Sequence, residues 1–192
     1  MDIDFQEVVA SFLKTLEGCD FSLHLNERYL HHIFSGIVQE REKMSLTKGN
    51  RLHPEWATYI TGIESRHHGR YHEGTDGFQQ CDSNGAPGFI DFAYGDPDSP
   101  EVGIEFKMSN GLIDEKALAF DYLKLLDSNN PFKLVYHIAV YFGKNLKEEK
   151  IKERHKDALE KLTTGTDETR KRFFYIIIVA GNGSHIVYDA DA

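Results

Sequence analysis

The sequence predicts an α/β domain with a mixed sheet flanked by helices, and three observations predict it. Helical and strand-like patterns alternate along the chain instead of forming separate blocks. Two apolar runs, Leu134–Phe142 and Phe173–Ala180, have the length and composition of buried strands. Two shorter segments, Phe89–Tyr94 and Val102–Met108, alternate so that each has one wholly apolar face. The 192 residues fit one domain spanning 1–192, and 13 Phe and 9 Tyr supply a real core.

The elements follow in order. A helical pattern runs from Phe5 to Leu16 and stops at Gly18. A second begins after Asn26, a suitable N-cap, and reaches Lys43, with Leu30, Ile33, Phe34, Ile37 and Val38 on one face. Residues 45–87 are rich in Gly, His, Asn and Ser and read as an irregular excursion with one short strand at Ala57–Ile63. Gly95–Glu101 is a turn between the two alternating strands. Leu112–Leu126 is an amphipathic helix ended by Asp127-Ser128-Asn129-Asn130-Pro131. The charged helix Leu146–Leu162 has only a thin stripe of Ile151, Ala158, Leu159 and Leu162 and belongs at the surface. Asn182-Gly183 turns the second buried run into a last strand, His185–Tyr188.

No apolar run approaches the ~18 residues of a membrane span. The acidic start, Met1-Asp2-Ile3-Asp4, is unlike a basic secretory leader, and Cys19 and Cys81 lack any partner motif. Both features predict a cytoplasmic protein with reduced thiols. The net charge of −9 argues against non-specific coating of nucleic acid. Its distribution is uneven: residues 73–131 hold 12 acids and 3 bases, whereas 41–72 hold 6 bases and 3 acids, and 141–172 hold 10 bases and 7 acids. An acidic centre between basic segments suits carboxylates that hold a cation beside bases that hold phosphates. Charged helices and loops produce the same profile without any such role.

Alternation places Asp91 on the face of its strand opposite Ile90, Phe92 and Tyr94, and Glu105 and Lys107 opposite Ile104, Phe106 and Met108. The apolar faces coincide only if paired residue numbers share an even sum. The turn centres on Asp98, so the symmetric register sums to 196 and sets Asp91 opposite Glu105. Two carboxylates about 4.5–5.5 Å apart at Cβ repel. A hard divalent cation such as Mg²⁺ removes that repulsion, and Mg²⁺ needs only one or two protein carboxylates beside water and phosphate. Lys107, two residues along the same face, would hold a water or a phosphate oxygen. The alternative is a solvent-facing hairpin on which Lys107 neutralises two acids.

Gly88-Phe89-Ile90-Asp91, a short connection, Ile104-Glu105-Phe106-Lys107 and an amphipathic helix together resemble the PD-(D/E)XK nuclease superfamily. Ile90 stands where the motif has proline. The resemblance implies a restriction-endonuclease-like core over about residues 26–142, with the N-terminal helix and the C-terminal helix and strand hairpin as additions. It also implies a Mg²⁺-dependent nuclease, with Mn²⁺ as a substitute, that hydrolyses phosphodiester bonds of nucleic acid, DNA first, as an endonuclease or exonuclease. Asp91, Glu105 and the main-chain carbonyl of Phe106 would bind the metal, and Lys107 would assist the attacking water. Members often add a glutamate from the preceding helix. Glu27 falls about 40° from the middle of the apolar stripe and Glu40 about 100°, which makes Glu27 the inward acid.

Weaker signals surround this motif. Arg66, Arg70 and Tyr71 lie in a loop that would follow a phosphate backbone, with Tyr71 stacking on a base, and Lys116 and Lys124 would reach phosphates from the following helix. His67, His68 and His72 lack the partners of a zinc site, and His31-His32 has no evident partner. A homodimer would suit double-strand cutting. Two rival readings are an inactive nuclease-like binding module and an acidic inhibitor or immunity-type protein.

Overall fold

The computed structural model describes residues 3–17, 19–21, 26–44, 51–59, 70–74, 77–81, 86–162, 172–180 and 184–189. Apolar periodicity sets its first two helices. In α1 (Phe5–Glu17), Phe5, Val8, Phe12 and Leu16 line one buried face; in α2 (Glu27–Met44), Leu30, Phe34 and Val38 do the same. Both faces cover one side of a sheet, where Phe12, Phe34, Phe92 and Phe106 meet ring to ring at 5.3–6.1 Å.

The sheet has the strand order β1-β5-β6-β7-β8-β9. Its strands are β1 (Leu52–Ala57), β5 (Phe89–Gly95), β6 (Pro100–Ser109), β7 (Leu134–Tyr141), β8 (Arg172–Val179) and β9 (Ser184–Asp189). The β5–β6 hairpin is antiparallel, β6–β7 and β7–β8 are parallel, and the edge pairs β1–β5 and β8–β9 are antiparallel. The α/β class and the mixed sheet are therefore as the sequence predicts. Among the described residues no helix is long and apolar enough to cross a membrane.

Residues 45–87 depart from the expected irregular excursion. Their described part contains β1, which ends at Ala57 where the expected Ala57–Ile63 strand begins (residues 60–63 lie outside the described residues), and a second small sheet of β2 (Arg70–Gly74), β3 (Gly77–Cys81) and β4 (Ala86–Pro87). β1 carries Pro54, which is tolerated on a sheet edge, and Glu55 at φ 50°, so its sequence hides its conformation.

The second face of the sheet is covered by α3 (Glu115–Leu126) and α4 (Glu148–Glu160). Asp114 caps α3 by accepting the Lys116 N–H at 2.8 Å, which starts the helix after the expected Leu112. α4 keeps much of its surface in water, as expected, but His155 is fully buried beside Ile151 and Ala158. Its imidazole bonds the Tyr122 hydroxyl at Nδ1 and the Tyr141 hydroxyl at Nε2, the latter at 2.8 Å. His137 on β7 is also fully buried, 5.9 Å away between ring centres.

Burial lowers the pKa of both histidines, His155 to about 2. The native state keeps them neutral while the unfolded chain protonates them near the ordinary value of about 6.5. Stability is thus complete above about pH 6.5 and falls below it by up to about 1.4 kcal/mol per pH unit for each histidine. Urea unfolding at about pH 7 and about pH 5.5 should show this loss, and His155→Gln should flatten the slope whatever it does to stability at neutral pH.

Candidate functional site

The β5–β6 pairing Phe92↔Ile104, Ala93↔Gly103 and Tyr94↔Val102 has the expected register, and continuing it sets Asp91 opposite Glu105. The two carboxyls lie close enough to perturb each other, and Asp91 Oδ2 accepts the Phe106 N–H at 2.8 Å. Because N–H and C=O of one strand residue point to the same edge, the Phe106 carbonyl is directed toward Asp91 as well. The motif glycine has a steric cause: a Cβ on Gly88 would lie 2.3 Å from the Tyr71 ring and 2.6 Å from Thr58 Oγ1.

The face bearing these acids is not the solvent-facing hairpin of the alternative reading. α3 lies across it, and Glu105 is only 2% exposed. The helix contributes Asp121 and Lys124, one turn apart. Lys124 Nζ touches Glu105 Oε1, lies 3.1 Å from Asp121 Oδ1 and donates to the Phe89 carbonyl at 2.8 Å. It is buried within the site, which corrects its expected role as a phosphate contact on the helix surface. Lys107 Nζ lies 3.2 Å from Asp121 Oδ2 and keeps 29% of its side chain exposed. His137, paired in register with Glu105 on the neighbouring strand, places Nε2 3.7 Å from the same Asp121 oxygen.

These contacts divide the protons. Burial pushes Asp91 up, but the neighbouring His31 imidazole, the Glu105 carboxyl and the hydrogen bond from the Phe106 N–H outweigh it and leave the pKa lowered. Complete burial pushes Glu105 well up against the pull of Lys124, and the Asp91 and Asp121 carboxylates push it further. Asp121 is lowered because Lys124, His137 and Lys107 together overcome its burial. For Lys107, burial acts downward, yet Asp121, Glu105 and Glu27 raise it overall, so it stays an ammonium.

Glu27 and His31 approach from the first turns of α2. Glu27 is half-buried, and burial raises its pKa against the pull of Lys107, with Asp91 and His31 among its other charged neighbours. His31, expected to lack a partner, has Nε2 3.5 Å from Asp91 Oδ2. One ligand atom each from Glu27, His31 and Asp91 lies within 4.8 Å of the others. Ligands on opposite sides of a small cation are about 4.2 Å apart for bonds of about 2.1 Å, so a divalent ion would gather these three groups with only a small inward movement of their side chains.

The expected substrate contacts fare differently. Tyr71 is 1% exposed, stacks edgewise on Phe120 and donates its hydroxyl to Asp127 Oδ2 at 2.9 Å. This corrects its assignment to base stacking: the ring is a core piece, drawn in by Gly88 and the end of α3. Lys116 is exposed on the first turn of α3. Arg70 is described only in its backbone, and Arg66 lies outside the described residues. Asp121 is the residue that sequence reasoning missed; Lys124 was assigned to phosphate, and His31 was given no role. The i, i+3 pairing of Asp121 and Lys124 was the one available signal, and it looks the same on any solvent-facing helix. Comparison with known proteins adds no relative: no family model, curated protein or solved structure matches this chain.

Proposed function

We propose that the chain hydrolyses phosphodiester bonds of nucleic acid, DNA first, with a divalent cation as cofactor. The observation that carries this reading is the meeting of Asp91 and Glu105 beside Lys107, an ammonium held by the buried Asp121. The resemblance of the Asp91-to-Lys107 motif to PD-(D/E)XK nucleases supports the same chemistry. When bound, the cation supplies charge to the scissile phosphate and acidifies a water.

The chain's own groups account for the rest. Asp91 offers carboxylate oxygens at the rim, Glu105 offers the oxygen that Lys124 leaves, and the Phe106 carbonyl faces the same edge. Lys107 stays protonated, so it acts as a donor that orients a water or a non-bridging phosphate oxygen, not as a base. Asp121 positions it. Lys116, with Arg66 and Arg70, is the proposed phosphate contact, and the basic segments 41–72 and 141–172 would flank the acidic centre.

A second reading is favoured by one observation: Glu105 is already ion-paired to Lys124 in a buried position. A nuclease-like fold neutralised in this way would bind partners without cutting, and it expects no response to Mg²⁺ or Mn²⁺.

Cleavage of plasmid and single-stranded DNA with Mg²⁺ or Mn²⁺ separates the two. Asp91→Ala and Lys107→Ala should each lose roughly two to three orders of magnitude in rate. Equal rates in wild type and both variants would sink the phosphodiesterase reading. Asp121→Asn should lower activity and also cost about 3–5 kcal/mol in urea unfolding, because it leaves the buried Lys124 and the half-buried Lys107 short of their counter-charge. A stability change below about 1 kcal/mol would show that Asp121 does not organise the site.

A further inference from the structure

We propose that His31 is a cation ligand and that Glu27, His31 and Asp91 form a mixed nitrogen–oxygen centre selecting a divalent transition metal, Mn²⁺ first, over Mg²⁺. This rests on the reading of the carboxylates as a metal centre and names the ion that centre takes.

Glu27 and His31 are four residues apart on α2, so both project from one face of the helix. Asp91 meets them from β5. The His31 ring is fixed by Phe92 and Phe106 at 5.2 and 5.3 Å between centres, which aims Nε2 toward Asp91. Nε2 is buried and makes no hydrogen bond within the described residues; the Asp91 oxygen 3.5 Å away is at the margin of that distance. A buried nitrogen on a fixed ring, with one Glu27 and one Asp91 oxygen within 4.8 Å, has the form of a ligand set.

The other side of the site explains why nitrogen is needed. Lys124 occupies Glu105 Oε1, so Glu105 has one oxygen left for a cation at most. Mg²⁺ demands near-octahedral oxygen ligation and dehydrates reluctantly. Imidazole is a poor donor to Mg²⁺ and a good one to first-row transition ions. Asp91 and Glu27 retain the hard oxygens that Mn²⁺ also accepts. An imidazolium paired with both acids is the competing account, and it requires that no metal displace the ring proton.

The test titrates Mn²⁺ and, separately, Mg²⁺ into the intact protein, its His31→Gln and His31→Ala variants and Asp91→Ala. Calorimetry gives affinities, and pulsed electron paramagnetic resonance of bound Mn²⁺ detects a directly coordinated ¹⁴N. The expected result is a ¹⁴N coupling in wild type that both His31 variants lack, with Mn²⁺ affinity falling about tenfold or more and Mg²⁺ affinity changing much less. Mn²⁺ bound without ¹⁴N coupling, equal losses for both metals, or no binding at all would overturn the inference. Binding lost in Asp91→Ala but kept in the His31 variants removes His31 and leaves the carboxylate centre. Nitrogen-coupled Mn²⁺ in a protein that cuts no DNA removes the phosphodiesterase reading and leaves His31 as a ligand.

Discussion

Two ammonium groups share one buried carboxylate, Asp121, and the rest of the site depends on that arrangement. Moving an ion out of water costs several kcal/mol even after relaxation, and only close pairing with full hydrogen bonding offsets it. Lys124 meets that condition, because its three donors reach Glu105, Asp121 and the Phe89 carbonyl. Lys107 meets it only in part, with one ion pair and an open side. The same acid therefore anchors a structural lysine and a reactive one. Their difference in burial decides which of them can reach a ligand.

The sheet's centre was legible in the sequence because its signals are local. The alternation in Phe89–Tyr94 and Val102–Met108 fixed the faces and with them the even-sum register of Phe92↔Ile104, whereas beside the turn a bulge shifts the pairing to Gly95↔Pro100. β7 and β8 announced themselves as apolar runs buried on both faces. Alternation did not decide whether the acidic face meets water or a second layer. Gly103 and Phe132 show which: the Phe132 ring sits 2.9 Å from where a Gly103 Cβ would be, and it shares a buried cluster with Leu118, Tyr122 and Leu125 of α3, so the acidic face is itself part of an interior. Whether a helix crosses a given strand is settled by tertiary packing, and no period within the strand carries it.

The same distinction explains the misplaced tyrosine and the missed histidine. Tyr71 lies in a polar, glycine-rich stretch, and local composition favours exposure. Its burial is dictated by Asp127, which lies 56 residues away at the end of α3 and accepts its hydroxyl. His31 sits on the polar flank of α2, one turn from Glu27, and acquires meaning only when α2 docks its Phe34 against Phe92 and Phe106. Docking through apolar side chains thus places two polar ones. The hydrophobic face of α2 sets how far its first turn can move, and with it the distance between Glu27, His31 and Asp91.

Charge balance gives the site its direction. Inside the cluster, Asp91, Glu105 and Asp121 face Lys107 and Lys124, which leaves one carboxylate more than the ammonium groups can neutralise. Asp121 lies deep and takes both lysines, so the surplus negative charge falls on the Asp91–Glu105 pair, which their surroundings push apart, Asp91 down and Glu105 up. Lys124, locked to three oxygens, is not displaced from this pair. An incoming cation therefore meets its strongest attraction at Asp91, the less buried of the two acids and the one within reach of His31 and Glu27. The buried lysine makes the inner half of the site permanent, and it confines exchange to the rim, where Lys107 also has its open side.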